Sequence, residues 1–215
     1  MFAPIQEAGK PRQAPEFYVI QPGDTLYKIA FEHGVDYRDL AAWNGITDIH
    51  FIRAGERLRL LPARLPASKP VPGQSPAGKA PPSPDPTDSE FEVKTWIWPA
   101  HGRLLEAYNE MTGNKGIDIA GGLGGPVMAA AAGKVVYVGE GLRGYGKLII
   151  IKHNQSTLSA YAHHSRILVR EGQFVAQGQK IGEMGDSDAD RVKLHFEIRR
   201  YGRPQDPLSF LPRNG

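Results

Sequence analysis

The sequence predicts a multidomain chain, a small α+β unit of order strand, helix, helix, strand (βααβ) followed by a mainly-β domain, and three observations predict it. Between residues 17 and 60, two short alternating segments flank two helical patterns with recognisable caps. From 62 to 90, proline, alanine, serine, glycine and lysine replace any hydrophobic period. Beyond 91, short apolar segments recur at turn spacing, punctuated by glycine. The boundaries read from these shifts are a lead-in at 1–15, a first module at 16–61, a proline-rich linker at 62–90 and a second domain at 91–215.

Composition sets outer limits. The 215 residues are 40% hydrophobic, enough to bury a core in each module. No run reaches the roughly 20 apolar residues of a spanning helix, and Met1-Phe2-Ala3-Pro4 opens no signal-peptide core. Nothing in these residues anchors the chain to a membrane, and attachment through an N-terminal lipid anchor outside them stays open. The absence of cysteine excludes disulfides and thiolate metal sites. A net charge of +3 comes without a basic block, so no nucleic-acid partner is expected.

In the first module, Phe17 to Ile20 reads as a strand. Asp24 or Thr25 caps a helix carrying Leu26, Ile29 and Ala30 at helical spacing, and Gly34 ends it. Asp36 caps a second helix from Tyr37 to Trp43, stopped by Asn44-Gly45, and Gly55 to Leu60 alternates as the closing strand. The 62–90 stretch, extending at roughly 3.1 Å per residue where polyproline-like, reads as a tether between independently packed modules.

In the second domain, strands are expected at Trp96 to Pro99, Val127 to Ala129, Lys134 to Val138, Lys147 to Ile151, Leu158 to Ala162, Lys180 to Gly182 and Leu194 to Ile198, forming antiparallel sheets packed face to face. The glycines at 121, 122, 124 and 125 read as a β-turn, since neither a Gly-Lys-Ser/Thr ending nor a helix follows. Lys193 and His195 alternate with Leu194 and Phe196 and so share one strand face.

The phrases "YVIQPGDTLYKIAFEHGV", "LAAWNGI" and "AGERLRL" resemble the LysM domain over its full length. That resemblance implies binding to peptidoglycan glycan strands in a shallow groove between two loops. The loop entering the first helix holds Gly23, Asp24, Thr25 and Leu26, and the loop leaving the second holds Asn44, Gly45 and Ile46. Backbone groups there would hydrogen-bond the acetamido groups, with Leu26 and Ile46 covering the methyl.

The phrases "GNKGIDIAG", "LSAYAHHS" and "LHFEIRRYG" resemble the lysostaphin/LytM family of zinc endopeptidases, which cut peptidoglycan cross-links. Asn114 stands where that family has its first zinc-binding His, and Asp118 and His195 keep the other two ligands. Lys193 stands where the family has one catalytic His, and His163 keeps the other. The adjacent His164 is expected at the surface. A hydrolytic zinc site needs three protein ligands and an open position, whereas an amide oxygen is a poor donor and a protonated amine repels a dication. The expectation is a domain with no cofactor, no bound metal and no catalytic residues, in which Lys193 pairs with Asp118.

The combination of modules resembles the murein hydrolase activators, outer-membrane lipoproteins of Gram-negative bacteria described as non-enzymatic activators of periplasmic N-acetylmuramoyl-L-alanine amidases during cell separation. The resemblance implies that Asn114, Asp118, His163, Lys193 and His195 form the floor of a partner-binding groove, with Gly144 and Tyr145 in a rim loop. Two other readings remain open at this point, a zinc endopeptidase with an unusual ligand set and a purely structural peptidoglycan-binding protein.

Overall fold

The computed structural model describes residues 16–49, 51–61, 93 and 95–213. The expected lead-in and linker lie outside the described residues. The first module runs through strand β1 (Phe17–Val19), helices α1 (Leu26–His33) and α2 (Tyr37–Asn44) and strand β2 (Arg57–Arg59), with β1 and β2 antiparallel. Thr25 is the α1 N-cap: its hydroxyl accepts from the Lys28 N–H at 3.1 Å. Asp24 is otherwise committed, accepting from the Gln21 N–H and the Tyr18 hydroxyl, both at 2.8 Å, and pairing with Lys28 Nζ at 2.6 Å. Gly34 and Gly45 end the two helices at φ 67° and 65°.

The second domain contains β3 (Leu104–Glu106), β4 (Ile117–Ala120), β5 (Pro126–Met128), β6 (Gly133–Gly139), β7 (Leu148–Lys152), β8 (Thr157–Ala162), β9 (His164–Ile167), β10 (Phe174–Val175), β11 (Lys180–Met184), β12 (Lys193–Arg200) and β13 (Arg203–Gln205). Antiparallel pairing builds a large sheet of order β10-β6-β7-β8-β12-β4-β3, with β13 on β12, and a small sheet of order β5-β11-β9. The segment Trp96 to Pro99, expected as a strand, joins no ladder. Pro99 lacks a donor, and the segment is held instead by Ile97 N–H to the Ala130 carbonyl (3.0 Å) and Trp98 Nε1–H to the Pro212 carbonyl (2.9 Å).

Alternation divides the large sheet between two cores. Ile149, Ile151, Tyr161, Leu194, Phe196 and Ile198 pack in a core shared with Val127, Ile181 and Met184 of the small sheet, as expected for face-to-face sheets. The other face is not solvated: Leu148, Ile150, Leu158, Ala160 and Ala162 share a core with Leu26, Ile29, Phe31 and Leu40 of the first module. The reading of independently packed modules is therefore corrected. A strand such as β7, apolar on both faces, needs a cover on each, and α1 supplies the second. Gly202 marks the contact, since a Cβ at its φ of 74° would collide with the Val35 carbonyl.

Candidate functional site

The site is built on β12. Its core face carries Leu194, Phe196 and Ile198, so period-two alternation puts Lys193, His195, Glu197 and Arg199 on the opposite face. Strand β4 pairs with β12 in the register His195 opposite Asp118, which sets a carboxylate beside this row. Lys193 Nζ lies 2.8 Å from Asp118 Oδ2, and His195 Nδ1 lies 2.6 Å from Asp118 Oδ1. On its far side His195 Nε2 meets Glu197 Oε1 at 3.1 Å. Arg199 Nε donates to Glu197 Oε2 at 2.7 Å, while its guanidinium stacks 3.4 Å from the Phe31 ring centroid and donates to the Phe31 carbonyl. Charge thus alternates in one continuous chain from the cleft to the first module.

The electrostatics follow from these partners. Burial opposes the charge on His195, but its hydrogen bonds to Asp118 and Glu197 outweigh it and raise its pKa to about 9. Burial likewise works against the Asp118 carboxylate, yet His195 and Lys193 hold its pKa below the ordinary carboxyl range. Glu197 is drawn down to about 2 against its burial, chiefly by the charge of Arg199. His163 sits at φ 65° with Nδ1 2.8 Å from the Ser187 carbonyl, and burial lowers its pKa. At neutral pH it is an uncharged imidazole beside a charged one, ring centroids 6.1 Å apart.

Asn114, Asp118, His163, Lys193 and His195 line one cleft of about 350 Å³, together with Gly144, Tyr145 and Glu197. The rim loop is pinned by Lys147 N–H to Ser187 Oγ at 3.0 Å, and Gly146 passes so near Ser187 that a Cβ would collide with its carbonyl. His164, expected at the surface, is fully buried, and burial lowers its pKa to about 4.

The residues present do not fit a zinc ion. Both ring nitrogens of His195 face carboxylates, so a metal would first have to displace a ring proton held with a pKa of about 9. The Asn114 amide is spent locally, Nδ2 on the Ala107 carbonyl (2.9 Å) and Oδ1 on the Gly116 N–H (3.3 Å). The Lys193 ammonium stands against the carboxylate oxygen a cation would use.

In the first module, Gly23 turns the loop at φ 84°, and Asp24 is consumed inside it. Leu26 is fully buried, so it cannot cover a sugar methyl as the resemblance implied; Ile46 is half-buried. Asn44 braces α2 against β2, with Nδ2 on the Leu40 and Arg59 carbonyls (2.7 and 2.9 Å) and Oδ1 accepting from Arg59 N–H (2.6 Å). Gly45 is the helix stop.

The LysM domain model matches residues 18–60, and the Peptidase family M23 model matches 112–207. A relative from Pseudomonas aeruginosa, lipoprotein NlpD/LppB homolog, is 46% identical, the match spanning 91% of this chain and 77% of that protein. The chain belongs to the NlpD/LppB family. Another relative, the murein hydrolase activator NlpD of Escherichia coli, is 36% identical over 91% of this chain and 67% of its own length. Among solved structures, the peptidase lysostaphin from Staphylococcus simulans matches with a TM-score of 0.51 and 26% identity, over 57% of each chain. A putative M23 peptidase from Pseudomonas aeruginosa matches at 0.50 and 29%, over 57% of this chain and 51% of its own.

Within this NlpD/LppB chain, sequence reasoning missed Glu197 and Arg199. Their signal was present: both continue the polar alternation of Lys193 and His195, a charged row on a strand whose other face is core.

Proposed function

We propose that this chain binds peptidoglycan glycan strands through its LysM module. Without hydrolysing anything itself, it activates a periplasmic N-acetylmuramoyl-L-alanine amidase through the cleft of its M23 domain during cell separation. The observation that carries this reading is the 2.8 Å pair between Lys193 Nζ and Asp118 Oδ2. An internal cation holds the electrostatic position of a catalytic metal, while the surrounding strands keep the cleft open. The name murein hydrolase activator, borne by the Escherichia coli relative, supports the partner class. The lipoprotein name of the Pseudomonas aeruginosa relative supports a lipid anchor, and the name outer membrane antigenic lipoprotein B, borne by a relative from Histophilus somni, supports its placement at the outer membrane, facing the periplasm.

A preformed concave surface with a fixed imidazolium, an uncharged imidazole and a half-buried tyrosine suits an extended or helical segment of a partner. Activation follows if the cleft binds the element that blocks the amidase more tightly than the amidase's catalytic domain does. Carrying a 1:99 equilibrium to 99:1 takes about 5.5 kcal/mol of differential binding.

The test is amidase stimulation by the purified chain carrying Lys193→Glu with Lys115→Trp, the latter an exposed residue on the cleft wall. Stimulation should fall while pelleting with sacculi persists. Undiminished stimulation would place the contact elsewhere, and stoichiometric zinc with lytic activity in the parent would restore the endopeptidase reading.

A further inference from the structure

The docking of the two modules creates a second cleft, of about 360 Å³, where the LysM loops meet the edge of the large sheet. This lies within the roughly 300–1,000 Å³ typical of ligand pockets. One wall is Asp24, Thr25, Ile49 and Ile52, drawn from the loop entering α1 and the loop leaving α2. The facing wall belongs to the other module, with Lys134 on β6 and Glu171 in the turn before β10.

That second wall is rigid. Gly172 N–H donates to the Val135 carbonyl and Val135 N–H to the Gln173 carbonyl, both at 2.8 Å, which binds the turn to β6. Glu171 Oε1 accepts from Val138 N–H at 3.0 Å, so one carboxylate oxygen is anchored and the other remains as an acceptor. On the LysM side both Asp24 oxygens are engaged within their loop, whereas the Thr25 hydroxyl accepts from Lys28 N–H and keeps its own proton to donate. The apolar part of the lining, Ile49 and Ile52, is half-buried.

We propose that the glycan site of this protein is composite: an N-acetylated glycan strand seated on the LysM loops is also gripped by Lys134 and Glu171 of the M23 domain. The inference rests on the LysM reading above and extends it to residues outside that module. The Lys134 ammonium, which has three N–H donors and lies 5.8 Å from the Phe174 ring centroid, and an anchored carboxylate on one wall match the hydroxyls of a pyranose, which donate to the carboxylate and accept from the ammonium. Ile49 and Ile52 opposite them suit the ring's C–H face or the acetamido methyl. Glycan affinity then depends on the two modules being docked, since neither supplies both walls.

The experiment uses the full chain and the tetramer of N-acetylglucosamine, with affinity measured by calorimetry and contacts by amide shifts in NMR. The variants are Lys134→Ala and Glu171→Gln, the latter keeping an acceptor for Val138 N–H. Each should weaken tetramer binding about three- to tenfold, the loss expected for one hydrogen bond to a ligand, with an unchanged thermal midpoint for Glu171→Gln. In the parent, tetramer should move the amides of Lys134 and Gly172 along with those of Thr25 and Ile49. Tetramer that moves Thr25 and Ile49 but binds both variants at parental affinity would overturn the composite site and leave the LysM reading intact. Tetramer that moves none of these amides and shows no heat would overturn both.

Discussion

At Lys193 and Asn114 two side chains are committed to partners within the chain, and by different means. The ammonium pairs with Asp118 Oδ2 at 2.8 Å, beside the His195 imidazolium on Oδ1, and the amide turns inward to the Ala107 carbonyl and the Gly116 N–H. Replacing both with imidazole, as Asn114→His with Lys193→His, frees Asp118 and restores donors on the cleft. We expect stoichiometric zinc in this double variant by elemental analysis, and peptidoglycan hydrolysis no faster than in the parent. Hydrolysis also requires a positioned substrate and supporting hydrogen bonds around each ligand, which Glu197 supplies to His195 at 3.1 Å and which the two substitutions do not bring to the new imidazoles. A variant that stays metal-free would show that the residues around the cleft, not the two replaced side chains, exclude the ion.

Strand β12 links the cleft to the first module. Its core face reads as ordinary alternation, but the opposite face carries Glu197 and Arg199, both essentially inaccessible to solvent. A buried charge stripped of its partner is far costlier than the intact pair is favourable. Arg199→Met should therefore destabilise the chain by about 3–5 kcal/mol in urea unfolding, through the unpaired Glu197 and the lost guanidinium contact with Phe31. Adding Glu197→Gln should recover at least about 1 kcal/mol of that, a coupling measurable as a double-mutant cycle. Additive losses would mean that Glu197 relies on His195 and Tyr145, not on Arg199. The alternation of "KLHFEIRR" was legible in the sequence, and with it one face of the candidate site. The depth of Arg199 was not, because an exposed and a buried polar face have the same period.

For the molecule as a whole, the shared core makes the two modules one packing unit. Phe31 is buried between the Arg199 guanidinium and Tyr145, the latter 5.6 Å away ring to ring. Burying a side chain of that size contributes about 1.5–3 kcal/mol. A chain cut once between Leu61 and Val93 should therefore elute from gel filtration as a single species, both fragments together. With Phe31→Asp the cut fragments should separate. Separation of the parental fragments would return the modules to the independence that a proline-rich tether implies.

What the sequence determined by itself is local. Both LysM helices, the Asp36 cap and the glycine stops are encoded within a few residues, since capping and the 3.6-residue period are near-neighbour effects, while the choice of Thr25 over Asp24 as the first cap came from the structure. Most of the β segments, though not β3, β4, β9, β10 or β13, and the shared face of Lys193 and His195 were likewise readable in place, whereas Trp96 to Pro99 read as a strand and is not one. Only the tertiary structure decided which surface covers the second face of the large sheet, which partners occupy the two nitrogens of His195, and that the LysM loops share a cleft with Lys134 and Glu171. Asp118 and His195 are 77 residues apart and Phe31 and Arg199 are 168 apart. A periodic pattern states that a face must be buried or a charge compensated; it carries no information on which distant residue does so.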